Sequence, residues 1–449
     1  MKKMVKGEIT VFLSLVFLLL LTLVGALLES ASIQLAKNEK RADAGRAVES
    51  AFAEYRYGIF AIEGSYESGT MSEENILNRL SFYGAENIET EIAAIRYLTD
   101  QNGKEFLRQA VEYEKMKTGA AAIENLTGKV SEWKEQELKA NEYGKENIET
   151  SKELDQMLES EKEELPAENN PLADIVDIQA QALLNLVSPE GFTLSSKAVK
   201  SEETVSNRKL RQGYGTMKEK DNGAGDTIFF NLYLIDKFGN AANKKKNTVL
   251  DYEMEYLLGG KASDKDNLEY VIGRIRILRF AVNYGYLLTD KDMQMEVDTL
   301  ATTLSAVFLS PEIGPVIKHA LLLAWAYGES LTDVKTLLAG KKVPAVKSKE
   351  SWNLMLDGLL ELAKNRSIPE GKETEEGNSY EQYLQMMLVL KSKEELSMRA
   401  LDLVEMNLRS GMEKTFFRAD ACVSGADFDM TCYLRRGIRY QYHILYQYQ

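Results

Sequence analysis

Apolar positions run unbroken from Ile9 to Leu28, ITVFLSLVFLLLLTLVGALL, and the chain turns polar at Glu29. Twenty residues of helix rise about 30 Å, the thickness of a bilayer's hydrocarbon core. A lone segment crosses that layer only as a helix, because its backbone polar groups find no partner there outside the segment itself. The pattern therefore predicts a transmembrane helix over 9–28 behind a short leader, 1–8. Lys2, Lys3 and Lys6 precede it, which favours a cytoplasmic N-terminus and an extracytoplasmic remainder, although Lys37, Lys40, Arg41 and Arg46 weaken that bias. A cleaved secretory signal is the competing reading. Its apolar region normally covers about 7 to 15 residues, fewer than here, but Ser30-Ala31-Ser32 offers a small-residue cleavage site.

Three- and four-residue spacing continues beyond the apolar run. Ala44, Val48, Ala51, Tyr55, Ile59 and Ile62 fall on one helix face, which predicts a stalk continuing the anchor and a stripe on which a partner helix could pack. Gly64 to Gly69 ends the stalk, a short helix follows around Ile76 to Leu80, and residues 86–98 read as a strand. With the stalk they make a membrane-proximal α+β part over 29–126. Residues 127–170 are dominated by Glu and Lys and read as a charged helix or linker. From 171 to 411 the chain reads as mainly helical. A helix begins at Asn170-Pro171 and stops at Ser188-Pro189, 228–238 is an apolar-aromatic segment, and 250–258 leads to Gly259-Gly260. Ser263 to Asp266 caps a long helix with Leu268, Ile272, Ile275, Leu278 and Val282 inward, and further helices are predicted near 291–309, 315–339, 349–364, 380–391 and 393–410. Ser379 with Gln382 has capping-box spacing and marks one of those starts.

The period changes near the end. Ile438, Tyr440, Tyr442, Ile444, Tyr446 and Tyr448 alternate with Arg439, Gln441, His443, Leu445 and Gln447, the clearest strand in the chain. Residues 412–449 are predicted as a β-hairpin that has Met430 to Leu434 as its other arm, turns at Arg435-Arg436-Gly437, and returns to the membrane-proximal sheet beside 86–98. The fold class is thus α+β, mainly α: an N-terminal transmembrane helix continuing into a stalk, a helical body, and a small antiparallel sheet that includes the C-terminal strand.

A net charge of −14 over 449 residues argues against a nucleic-acid partner and against electrostatic docking of the chain onto anionic lipid. The only two cysteines, Cys422 and Cys432, are close in sequence. In an exported chain such a pair reads as a disulfide, with two buried thiols as the alternative. His319 and His443 each lack a partner at metal-ligand spacing, and no nucleophile elbow, phosphate loop or dinucleotide fingerprint is present. No cofactor, metal or enzymatic activity is expected. Two acidic groups are the candidates for chemistry: Asp251, Glu253 and Glu255 with Asp264, Asp266 and Glu269, and the pair Glu329 and Asp333, four apart on one helix face beside Trp325. Paired carboxylates can bind calcium or cleave glycosidic bonds, but the more ordinary reading of each group is a solvated face or a helix cap.

Two stretches, KGEITVFLSLVFLLLLTLVGALLESA and the middle region from DYEMEYLLGGKASDKDNLEYVIGRIRILRFAVNY to AWAYGESLTDVKTLLAGKKVPAVKSKESW, resemble an uncharacterised family of single-pass exported proteins of Gram-positive bacteria, a domain of unknown function found with components of Tad-type (tight adherence, Flp) pilus systems. The N-terminus is also similar to the pseudopilins of those systems, in which a peptidase cuts after a glycine. That resemblance places the cut between Gly7 and Glu8, with Phe12 standing where a glutamate is usual. It implies a structural or assembly protein that is membrane-anchored and partnered by pilin-like helices. The alternatives are a cell-wall hydrolase using the paired carboxylates and an exported ligand-binding or sensing domain.

Overall fold

The computed structural model describes residues 6–53, 62–63, 72–117, 183–217, 226–307, 314–358, 368–411 and 417–448. They fall into two compact units: Met1–Glu105 with Leu210–Asp221 and Phe416–Gln449, and Phe106–Lys209 with Asn222–Thr415. The chain therefore leaves the first unit after residue 105, some twenty residues earlier than the boundary expected at 126. The charged stretch 127–170 lies outside the described residues, as does the helix start expected at Asn170-Pro171.

In the first unit one helix, α1 (Lys6–Ala53), carries the apolar run 9–28 and the stripe that follows it without a break. It passes straight through Ser30-Ala31-Ser32, and Gly7 and Glu8 lie in its first turn. With no proline and an apolar first half, nothing in its sequence interrupts helical hydrogen bonding. Residues 9–28 are exposed throughout, and their mean hydropathy reaches 2.9, so α1 is long and apolar enough to cross a membrane.

The second half of α1 is different in kind. Ala44, Ala47, Val48, Ala51 and Phe52 are buried in the core of an antiparallel sheet. That sheet is built from β1 (Ile62–Glu63), β2 (Glu89–Tyr97), β3 (Cys422–Tyr433) and β4 (Arg439–Gln447), with the helix α2 (Ser72–Leu80) before β2. The long β3 is central. It pairs with β2 from Thr431 opposite Glu89 to Val423 opposite Tyr97, and with β4 from Tyr433 opposite Arg439 to Gly425 opposite Gln447. The small side chains of α1 let its backbone approach the sheet, and Phe52 fills the remaining space 4.3 Å from the Tyr446 ring and 5.7 Å from that of Tyr448.

Three expectations are corrected here. The stripe on α1 does not await a partner: Ala44, Val48 and Ala51 are covered by the chain's own sheet, because Tyr442, Tyr446 and Tyr448 supply the apolar face they need. Ile62 belongs to β1, opposite Val423, and not to a helix, while Tyr55 and Ile59 lie outside the described residues. Cys422 and Cys432 are buried at opposite ends of β3 and are not joined to each other. Ten residues of strand separate them by about 33 Å, and a disulfide needs Cα atoms within about 7 Å. The hairpin arm also begins earlier than Met430. There Ala426, Phe428, Met430 and Cys432 face the core while Asp427 and Asp429 lie on the more open face, so the period-2 pattern continues upstream of Met430.

One segment returns unexpectedly to this unit. Tyr214 and Ile95 exchange both backbone hydrogen bonds, at 3.0 and 3.1 Å, so residues 210–217 cover part of the outer edge of β2. Gly213 is required there: a Cβ would stand 2.2 Å from the Ile95 carbonyl oxygen.

The second unit is helical: α3 (Asp226–Lys237), α4 (Glu253–Gly259), α5 (Asp264–Thr289), α6 (Lys291–Val307), α7 (Gly314–Leu338), α8 (Tyr380–Val389) and α9 (Lys393–Gly411). Ser263 caps α5 by accepting from the Asp266 N–H, and Ser379 with Gln382 forms the full capping box on α8. The most buried element is α7, which is enclosed along nearly all of 320–338. The helix expected from residue 349 does not start there. Residues 349–355 are irregular, for a reason that lies in α7.

Candidate functional site

Four charged side chains meet inside the helical unit without reaching solvent. Glu329 and Asp333 project from one face of α7, one turn apart; Arg279 comes from α5 and Lys347 from the segment after α7. The spacing 268, 272, 275, 279, 283 on α5 continues its apolar face straight into Arg279 and Asn283, both buried.

Asp333 is the hub. Its Oδ2 accepts from Arg279 Nε at 2.9 Å and from Asn283 Nδ2 at 3.0 Å, and its Oδ1 stands 2.7 Å from Lys347 Nζ. Lys347 Nζ also donates to Glu329 Oε1 and, at 3.1 Å, to the Ser351 carbonyl. Arg279 Nη1 donates to the Pro344 carbonyl at 2.9 Å and to Tyr383 Oη at 3.3 Å. Two acids and two bases leave the cluster neutral, which is how charge persists in a low-dielectric core. Burial pushes the Asp333 carboxyl up, but Arg279 and Lys347 outweigh it and hold the group below the usual carboxylate range. Glu329 moves the other way: burial raises it and the Asp333 charge adds to the rise, against Lys347.

Glu329 also explains the missing helix start. Its oxygens accept from the backbone N–H groups of Asn353, at 3.1 Å, and Leu354, at 2.8 Å. The Leu354 carbonyl in turn accepts both indole N–H groups, Trp325 at 2.7 Å and Trp352 at 2.8 Å. Backbone that would otherwise bond within a helix is tied to α7 instead.

The other acidic group does not converge on one point. Asp264 accepts from the N–H groups of Asp251, at 2.8 Å, and Tyr252, at 3.2 Å, and from the Ser195 hydroxyl at 2.6 Å. Glu253 holds the Gly239 N–H at 2.8 Å. Glu255 holds the Ala241 N–H at 2.9 Å and the Tyr380 hydroxyl at 2.7 Å, and burial raises its carboxyl to about 7 against those two donors. Asp251 pairs with Lys197 at 2.6 Å and Asp266 with the Ser263 cap, while Glu269 is half-buried without either role. A further carboxylate, Asp402 on α9, takes the Ser206 N–H at 2.8 Å and the Tyr256 hydroxyl at 2.8 Å.

The reading as a solvated face or a helix cap is overturned for five of these acids, while exposed Asp266, at the Ser263 cap, keeps it. Glu329, Asp333, Glu253, Glu255 and Asp264 are all buried, and each is committed to backbone or to a counter-charge. A general acid needs a raised carboxyl beside a space that admits substrate. Glu329 has the first property and lacks the second, for it lines neither of two cavities in the protein. One, of about 240 Å³ in the helical unit, is bordered by Lys200, Glu203, Asp402, Glu405 and Arg409. The other, of about 420 Å³ in the sheet unit, is bordered by Arg96, Asp100, Arg211 and Tyr214. Among the described residues no group of three or more His, Cys, Asp and Glu could hold a metal ion. His319 stands 3.4 Å from the Tyr284 hydroxyl, and His443 pairs with Asp429 on the exposed face of the sheet.

Arg279, Lys347, Asn283 and Asn353 escape notice in the sequence. Only Arg279 and Asn283 carry a signal there, as polar residues that continue the 268, 272, 275 spacing of α5. Comparison with curated proteins and with solved structures finds no match. Residues 161–434 match a protein family, and over that span, more than half its length, the chain belongs to the family of unknown function DUF5702.

Proposed function

We propose that this is a membrane-anchored extracytoplasmic structural or assembly protein, a pseudopilin-like accessory or minor component of a Tad-type pilus or a related surface system. The observation that carries the reading is the division of α1: an apolar, exposed first half for lipid and neighbouring helices, and a second half locked into the chain's own sheet. One unbroken helix then transmits position from the membrane to the sheet unit, and packing supplies the function in place of bond chemistry. The acids on which a hydrolase would rely are spent on tethering loops.

The stripe once available for partner helices is covered, so the partner face moves toward the membrane, to 9–28 and to exposed positions such as Gln34 and Leu35. Gln34→Cys in the full chain, cross-linked in intact cells and followed by identification of the captured species, is expected to yield pilin-like or other membrane chains. Capture of none, or recovery of the protein in the soluble cytosolic fraction, refutes the proposal. Mass spectrometry of the mature chain tests processing separately: the pseudopilin reading expects a start at Glu8, and an intact Met1 or Lys2 start excludes it.

A further inference from the structure

The sheet unit has a second feature that bears on the membrane. The strand β4 runs alongside the second half of α1 and in the same direction. Tyr448 donates its hydroxyl to the Phe52 carbonyl, Tyr442 to the Lys40 carbonyl at 3.2 Å, Lys37 Nζ lies 5.0 Å from the Tyr440 ring centre, and Arg436 pairs with Glu29. These four contacts form a ladder. From 52 down to 29 the helix descends about 35 Å, and from 448 down to 436 the strand descends about 40 Å. The two lengths agree, so the β3–β4 turn stands level with Glu29, the residue that follows the apolar run.

That turn carries Arg435 and Arg436, with Arg439 just above, all exposed. From Tyr433 to the last residue there is no acid, in a chain whose net charge is −14. Aromatic rings share the same end of the sheet. Tyr433 is 62% exposed, and Phe82, in the turn before β2, is 81% exposed. Glu89, the first residue of β2, lies opposite Thr431, which fixes the Phe82 turn at this end. Among the described residues the acids placed at this end are Glu29, engaged by Arg436, Glu89, which accepts from the Tyr433 hydroxyl, and Glu86. Guanidinium groups bind phosphate in two-pronged hydrogen bonds, and aromatic rings settle at the headgroup level of a bilayer.

We propose that the β3–β4 turn docks on anionic phospholipid headgroups of the membrane that α1 crosses, with Arg435, Arg436 and Arg439 on the phosphates and Phe82 and Tyr433 in the interface. This rests on the anchor reading above, and it reverses locally the expectation that an acidic chain avoids anionic lipid. The turn would set the tilt of the sheet unit by giving it a second point of attachment beside the helix.

The test uses the full chain in vesicles of neutral phosphatidylcholine and in vesicles with added phosphatidylglycerol, with hydrogen exchange followed at 81–86 and 433–439. Flotation with either kind of vesicle reports the anchor. Exchange at both turns is expected to slow by about tenfold in the anionic vesicles alone. The slowing should vanish in the triple variant Arg435→Gln, Arg436→Gln, Arg439→Gln, which still floats. Equal exchange in the two kinds of vesicle, or slowing that survives the triple variant, overturns the docking while leaving the anchor standing. Failure to float with either overturns both.

Discussion

The two units solve the same problem with the same devices in different proportion. In the sheet unit most of the core is apolar: alanines and Phe52 of α1 meet Phe428, Met430, Tyr442 and Tyr448 of the strands. Backbone groups there are satisfied mainly strand to strand, with Asp100 holding the N–H groups of Tyr97 and Gly213 and Asp420 that of Arg211. In the helical unit long irregular segments run between helices, and their buried N–H groups need partners. Carboxylates reaching out of the helices supply them: Asp264 to 251–252, Glu253 to Gly239, Glu255 to Ala241, Glu329 to 353–354 and Asp402 to Ser206. The lesson is that an acidic composition need not mean an acidic surface. Here part of it is structural, and it sits in the core.

The sharpest way to break this comparison is to remove one charge and leave its partners buried. Asp333→Ala strands Arg279 and Lys347, and it should lower the stability of the helical unit by about 3–5 kcal/mol. The near-isosteric Asp333→Asn should also be costly. By contrast the volume-conserving swap Met430→Leu at a buried site of the sheet unit should cost less than about 1.5 kcal/mol, because an apolar core tolerates such exchanges. Denaturant unfolding read separately for each unit checks the difference. An Asp333→Asn variant as stable as the parent would show that the network is ornamental.

The second effect is one of pH, and its direction distinguishes the tethers. The Glu255 carboxyl is raised to about 7 in the folded chain, above its ordinary value, because burial favours the neutral form; its Oε2 is buried without a hydrogen-bond partner and can hold the proton. Between its unfolded value and about 7 the folded state binds the extra proton, so this group's contribution to stability falls as pH rises through that window. The loss amounts to at most about 3 kcal/mol. Asp333, held low by Arg279 and Lys347, acts oppositely and further down: its contribution is present above its unfolded value and is lost only as pH falls through the depressed one. Glu255→Gln should flatten the stability profile between pH 4.5 and 7. An unchanged slope in that variant would mean the carboxyl is charged in the fold.

A smaller change tests the sheet unit's own rule. Ala47 has no exposed surface between α1 and the strands, and Ala47→Leu should force the helix away at a cost of about 1–3 kcal/mol. The same enlargement at exposed Ala31, on the half of α1 that leaves the sheet, should cost nothing measurable. Equal tolerance at both sites would mean that α1 is not seated on the sheet.

Legibility divides along the same line. The long apolar N-terminal helix, the period-2 strand 438–448, the turn at 435–437 and the Ser379 cap are readable because each depends on local spacing that the chain displays directly. The α1 stripe was readable as apolar but not as occupied, since its cover lies some 390 residues away in sequence, at Tyr442 and beyond. The tethers were nearly invisible. Asp264 reads as an ordinary first-turn acid and Glu329 as half of a surface pair, and only their distant N–H partners make them structural. On α5 an apolar reading prefers Leu278 and Val282 as the inward residues, whereas the structure buries Arg279 and Asn283 beside them, because Asp333 supplies the partner that no local spacing shows.

The smallest predicted effect is none at all, and it decides between two readings of one residue pair. A disulfide between Cys422 and Cys432 would close a short loop and add perhaps 2 to 3 kcal/mol, so reductant would shift the melting temperature. On β3 the two side chains stand ten residues apart along an extended strand, and neither can reach the other without dissolving the pairing with both β2 and β4. Burial raises the Cys432 thiol further, which slows its reaction with oxidants in the folded state. Reductant should therefore leave melting unchanged, and a thiol reagent should label neither cysteine in the native chain and both after denaturation. Labelling of the folded protein, or a drop in melting temperature on reduction, would require a strand β3 that is not continuous from Cys422 to Tyr433, and with it a sheet that cannot hold α1.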